Sequence, residues 1–157
     1  VSSDLGLIAF QDGEPGTFSS DIVLKVLRPF IQPIIDARFP KYWELAFPGG
    51  GGGNMEPMLE GTEKNGLAIN RPCGTELFDA LYEIMRQTHT LLYWTGMDNM
   101  ITADPSIADH LPPDYIENYG VPPLVKSGAD IFGGDRQDVI DYLKQTLRQK
   151  RSHISCK

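Results

Sequence analysis

Cys73, His89 and His110, with the aspartates spaced between residues 98 and 114, are the side chains through which this 157-residue chain could do chemistry. Cys73 stands just before an expected helix start at Thr75, where free backbone N–H groups favour a thiolate. A cysteine nucleophile also needs a base in contact with it. His89 falls beyond the far end of that helix, about 20 Å from Cys73 at about 1.5 Å per residue, and the chain does not constrain where His110 lies. Cys73 therefore reads as a packed or partly exposed thiol, and no catalytic residue is assigned.

Asp98, Asp104, Asp109, His110 and Asp114 offer oxygen and nitrogen ligands, but not at a metal-binding spacing. There is no Asp-x-Asp-x-Asp-Gly loop, no His-Glu-x-x-His pair and no second cysteine near the first. The segment reads as a solvated acidic loop, with no metal and no cofactor. The run Gly49–Gly53 follows an expected strand, as a phosphate-cradling loop would, but no Lys-Ser or Lys-Thr follows it. It leads into Asn54-Met55-Glu56-Pro57 and reads as a mobile loop. Paired carboxylates for glycoside chemistry depend on separation in space, and nothing in the sequence selects a pair.

The elements that must carry these residues follow from periodicity and punctuation. Leu5 to Phe10 reads as a strand, closed by the turn-rich run Gln11 to Gly16. Ser19 or Ser20 caps a helix whose apolar positions run from Ile22 to Ile34, with Pro29 and Pro33 kinking or dividing it. Tyr42 to Phe47 alternates as a strand with Trp43, Leu45 and Phe47 on one face. Asn65-Gly66 suggests a hairpin joining Met58-Leu59-Glu60 to Leu67-Ala68-Ile69. Thr75 caps a second helix buried through Leu77, Phe78, Leu81, Tyr82, Ile84 and Met85, and Thr90 to Thr95 is a further strand. Residues 96 to 134 read as loops with short helical turns near Ser106 and Pro113. Asp135 caps a last helix carrying Val139, Ile140, Leu143 and Leu147. This order predicts one α+β domain over residues 1–157, an antiparallel or mixed sheet with helices mainly on one face. A ferredoxin-like variant is the leading topology, and a doubly wound parallel fold is its rival.

Composition limits the partners. A hydrophobic share of 41% supports a packed core. No apolar run approaches the roughly 18 residues of a membrane span. The opening residues, with Asp4 and no basic start, do not read as a signal peptide. Two cysteines are too few for a disulfide framework and suit a reducing cytosol, so a cytoplasmic location is expected; a Cys73–Cys156 bridge is the alternative. The net charge of −7 opposes attraction to nucleic acid or to an anionic membrane. Much of that charge lies between Asp98 and Asp141, where only Lys126 and Arg136 are basic, whereas the last 16 residues hold bases and no acid. Trp94, Tyr115 and Tyr119 bracket the acidic stretch, and aromatic anchors among charges are what protein interfaces use. Trp94 has a competing place in the core. Asp98, Asp104, Asp109, Asp114, Tyr115, Glu117 and Tyr119 are therefore the expected partner-binding residues.

The segment Tyr42-Trp43-Glu44-Leu45-Ala46-Phe47-Pro48, running into a glycine-rich hairpin, resembles the immunity proteins of bacterial contact-delivered toxins, especially those paired with type VI secretion effectors. The resemblance covers residues 40 to 95. It implies a small acidic α+β protein without catalysis of its own, which binds a cognate toxin and blocks its active site or substrate path. An acidic loop suits a toxin with a basic active-site surface and speeds encounter with it. Two alternatives belong to other classes. One is a small enzyme using Cys73 or an acid–His110 site, marked by a compact pocket with a perturbed ionisable group. The other is a small-molecule sensing module with a closed apolar cavity beneath the first helix.

Overall fold

The computed structural model describes residues 4–32, 42–94 and 100–132. The expected last helix, with Val139, Ile140, Leu143 and Leu147, lies outside the described residues, as do Asp98 and Cys156.

Strand β1 (Leu5–Gln11) turns through Asp12-Gly13, both at positive φ, into the short β2 (Glu14–Pro15). This is the two-residue turn whose twist matches paired strands. After β3 (Phe18–Ser19), helix α1 (Ser20–Leu27) begins where the Ser19 hydroxyl accepts from the Asp21 N–H. Its α-helical turns stop ahead of Pro29, and one 3-10 turn (Arg28–Phe30) follows. Proline lacks the donor that would continue the ladder.

Strand β4 (Trp43–Ala46) pairs with β5 (Gly52–Met55). Strand β6 (Glu63–Lys64) pairs with β3, and β7 (Gly66–Cys73) leads into helix α2 (Thr75–Arg86) and then β8 (Thr90–Trp94). Gly74, at φ +93, occupies the cap position, so Thr75 is the first helical residue instead of the expected cap.

Every ladder in the six-stranded sheet is antiparallel. Along β8, β1, β7 and β5 the strand order is that of a ferredoxin-like βαββαβ unit. Strand β4 is an addition at the β5 edge, and β2 a hairpin on the end of β1. The expected α+β class and its leading topology hold.

Alternation along the strands divides the core. Leu5, Leu7 and Ala9 of β1, Leu67 and Ile69 of β7, and Leu92 and Trp94 of β8 join the main core. Val23, Leu24 and Leu27 of α1 and Leu77, Phe78, Leu81, Ile84 and Met85 of α2 complete it. Burying each large aliphatic chain contributes about 1.5–3 kcal/mol. Trp94 belongs here, its ring 5.3 Å from that of Phe78. Leu91 points the other way and forms a smaller cluster with Ile107 and Leu111, against which Phe10, Met100, Tyr115 and Ile116 pack.

Two expectations fail at the glycines. Gly52 and Gly53 are strand residues of β5, not part of a mobile loop. A Cβ at Gly52 would collide with the Leu45 carbonyl across the β4–β5 ladder, so close backbone approach selects glycine here. The hairpin expected at Asn65-Gly66 is also absent: Met58, Leu59 and Glu60 are not a strand, and β7 pairs with β1 and β5. The Asn65 carbonyl instead accepts from the Ala9 N–H at 3.0 Å. Gly52→Ala should therefore destabilise the fold by about 1–3 kcal/mol, the usual cost of overpacking. Urea unfolding would measure it, and a loss under about 0.5 kcal/mol, the surface range, would contradict this account of the ladder.

Candidate functional site

Beyond β8 the chain returns along that strand's outer edge and covers backbone that would otherwise be open to pairing. Leu92 and Ile101 exchange main-chain hydrogen bonds of 2.8 and 3.1 Å. Thr102 donates to the Pro123 carbonyl and accepts from the Val125 N–H, which joins the start of this arm to a later part of it. Between these points lie one 3-10 turn (Ile107–Asp109) and helix α3 (Pro113–Tyr119). Pro113 suits the first helical position because its missing N–H would have no partner there. Gly120, at φ +76, ends the helix. Tyr115 and Ile116 seat α3 on the small cluster around Leu91.

This seating turns one stretch outward. Asp109, Asp114 and Glu117 are exposed. Tyr119 is 71% exposed, Val121 63% and Leu124 46%. Asp130 is exposed too, and its carboxylate accepts from the Lys126 N–H. Tyr115 is half-buried, its ring 5.1 Å from that of Tyr119. Burial, and then the neighbouring Tyr119, push the Tyr115 phenol above its ordinary pKa.

Asp104 departs from the expected exposed patch. It is only 7% exposed, and its carboxylate faces inward. His89 Nδ1 lies 2.6 Å from Oδ2, and the Ser106 main-chain N–H and hydroxyl donate to Oδ1 at 2.9 and 2.7 Å. Burial acts to raise its pKa, but the hydrogen bonds from His89 and Ser106 outweigh burial, and the carboxyl stays below its ordinary value. Around it the hydroxyls are satisfied: Thr102 donates to the Thr90 carbonyl, and Thr88 bonds the Ile84 carbonyl and Thr90.

His110, from the end of the 3-10 turn, stacks on His89 with ring centroids 3.8 Å apart and 23° between planes. Its Nδ1 accepts from the Asp12 N–H at 3.3 Å, and its carbonyl accepts from Gly13 at 3.0 Å. Neither Nε2 makes a hydrogen bond among the described residues, and neither is a sealed, unpartnered atom.

In the neutral rings, Asp104 fixes the His89 proton on Nδ1 and leaves Nε2 an acceptor, whereas His110 keeps its proton on Nε2. The pair can accept and donate protons. It has no nucleophile of its own among the described residues: the Ser106 hydroxyl donates to Asp104 and not to a histidine. No group of three or more metal-ligating side chains occurs among them either.

Cys73 is disulfide-bonded and so is not the thiol expected at the head of α2. Its sulfur is no nucleophile, and the argument for a reducing compartment from unpaired cysteines no longer holds. No helix among the described residues is long and apolar enough to cross a membrane. A cleft of about 570 Å³ lies beside α1, lined by Leu24, Ile31, Trp43 and Met58 with the Arg28–Glu60 ion pair at its rim. It is open to solvent, unlike the closed apolar cavity a sensing module would use.

His89, Asp12 and Ser106 were not singled out from the sequence as members of one site. The signal for Ser106 was its spacing, since an Asp two residues before a Ser can accept both of its donors. No local signal links His89 or Asp12 to His110. No family model, curated protein or solved structure matches the chain.

Asp104 should be a pH-dependent source of stability. Because its folded pKa is depressed, its contribution is present near neutral pH and is lost as pH falls through that folded value. Asp104→Ala should cost about 1–3 kcal/mol near neutral pH. The gap to wild type should narrow in acid, as pH falls through that depressed value. Urea titrations near neutral pH and in acid test this, and a gap that persisted unchanged in acid would show that the carboxylate's charge is not the source.

Proposed function

We propose that the protein works by binding a cationic partner protein through the stretch from Asp109 to Leu124, and that the partner is a bacterial toxin it neutralises by covering the basic active site or substrate path. The observation that carries this reading is the exposure of Tyr119, Val121 and Leu124 along one stretch that also presents Asp109, Asp114 and Glu117. Exposed aromatic and aliphatic groups supply the desolvated centre of an interface, and carboxylates set partner choice and encounter rate. The net charge of −7 favours the same class of partner. The resemblance of Tyr42 to Pro48 to immunity proteins adds the toxin to this reading. Asp104 leaves the binding set because it is buried; Asp109, Asp114, Tyr115, Glu117 and Tyr119 remain in it, and Asp98 lies outside the described residues.

A second reading, a small enzyme, is favoured by the Asp104-oriented His89, whose Nε2 makes no hydrogen bond among the described residues. It needs water or a substrate group as nucleophile. Loss of protection in a folded His89→Gln variant that still bound the partner fully would favour it.

The binding reading is tested by capturing the partner with the wild-type chain and measuring both rate constants for the purified pair. Asp109→Asn, Asp114→Asn and Glu117→Gln together should slow association more than they speed dissociation, with the effect shrinking at high salt. Tyr119→Ala should mainly speed dissociation, at a cost of about 1–2 kcal/mol or more. If both variants bound and protected like wild type, the stretch would not be the interface.

A further inference from the structure

The stacked histidines bring together parts of the chain that are distant in sequence. His89 lies between α2 and β8, and His110 lies just ahead of α3. The turn that His110 holds, Asp12-Gly13, closes the β1–β2 hairpin. Their hydrogen-bond roles are opposed: the Nδ1 of His89 faces an ionised carboxylate and carries a proton, while the Nδ1 of His110 faces an N–H donor and carries none.

We propose that this pair is a pH-sensitive latch: a second proton on the pair breaks the Asp12–His110 bond, leaves the β1–β2 turn tied to the arm that carries α3 by the Gly13–His110 main-chain bond alone, and so weakens partner binding in acid. Imidazole is the side chain that ordinarily changes charge between about pH 5 and 8.

The first proton has a place. On Nε2 of His89 it leaves the Nδ1 contact with Asp104 intact and makes it charge-assisted. The second has only the exposed Asp12 carboxylate, 3.7 Å from His110 Nδ1. A proton on His110 Nδ1 meets the Asp12 N–H, so two donors face each other where a hydrogen bond stood. It also sets two cations face to face at 3.8 Å.

Among the described residues, the ionisable groups touching the rings are Asp104 on His89 and Asp12 on His110; Asp109 precedes His110 on its own turn. Asp104 can offset only one charge. The Asp12 carboxylate lies 3.7 Å from His110 Nδ1, but its side chain is 80% exposed and solvent screens it.

The effect has a short path to the surface. His110 is followed by Leu111, anchored in the small core cluster, and then by Pro113, the first residue of α3. Movement at His110 therefore reaches Asp114 and Glu117 within a few residues. Added positive charge beside the acidic stretch opposes a cationic partner as well, so both effects have the same sign. The consequence for affinity rests on the binding reading above; the latch itself does not.

Amide hydrogen exchange of Asp12 and Gly13 in the full chain, followed by NMR as protection relative to the intrinsic rate at each pH, tests the latch without a partner. Wild-type protection at these amides should fall at least about tenfold from about pH 7.5 to about pH 5, as local opening becomes easier. His110→Asn places an amide oxygen where Nδ1 accepts and cannot take up a proton, so it should keep its protection at both values. His89→Gln leaves a single imidazole and should show a smaller fall than wild type. Equal wild-type protection at the two pH values would overturn the latch, and so would an acid-induced loss in His110→Asn as large as in wild type. If protection fell as expected while partner affinity stayed constant, the latch would stand as a local event and its coupling to the proposed interface would be overturned.

Discussion

Strand β1 lies between β7 and β8, paired antiparallel with both, and the arrangement of the molecule depends on that central position. A strand with neighbours on both edges has no freedom to slip, because a one-residue shift would turn Leu5, Leu7 and Ala9 out of the main core. The end of β1 extends the same register into the candidate site. The Phe10 N–H donates to the His89 carbonyl, and the following turn meets His110 through Asp12 and Gly13. The histidine pair is thus indexed to the centre of the sheet through two main-chain bonds, to the His89 and His110 carbonyls, and one bond to the His110 ring.

Asp104 gives the irregular arm a defined path. A carboxylate this deeply buried is tolerable only with its hydrogen bonds satisfied, and Ser106 and His89 satisfy it. Thr102 then accepts from the Asp104 N–H while donating to the Thr90 carbonyl, which ties the same turn to β8. A polar cluster whose members are all partnered specifies one arrangement, because each alternative leaves a buried group unpaired. The result is a long segment with little regular structure that nevertheless has a fixed route over the sheet edge.

That route sorts the acidic residues into two kinds. Asp104 organises the interior, while Asp109, Asp114 and Glu117 face solvent beside Tyr119. Charge density along the chain does not distinguish the two, since all four are carboxylates separated by a few residues. The distinction comes from which face of the arm meets β8 and the loop before it. In the proposed role the exterior group meets the partner, and the interior group holds the surface that presents it.

Local physics was sufficient for several elements. The apolar run from Leu5 to Phe10 with the turn that closes it, the Ser19 cap with the Pro29 stop, and the apolar stripe of α2 each act through neighbours a few residues away, so the sequence by itself determined them. The same holds for Pro113 opening α3 and for the acidic, aromatic character of the stretch around it. Pairing over distance was a different matter. Asn65-Gly66 has the composition of a hairpin turn, yet β7 pairs with β1 and β5, and in that pairing Leu67 and Ile69 are buried in the main core. The glycines of β5 looked like a flexible loop because the groups that crowd them, the Leu45 carbonyl at Gly52 and the Ile69 side chain at Gly53, belong to other strands. His89, Asp104 and His110 are separated by 15 and 6 positions, with no motif joining them, and only the return of the chain along β8 makes them contact. Tertiary structure alone decided that site, because a hydrogen bond across the fold leaves no periodic trace in the residues that make it.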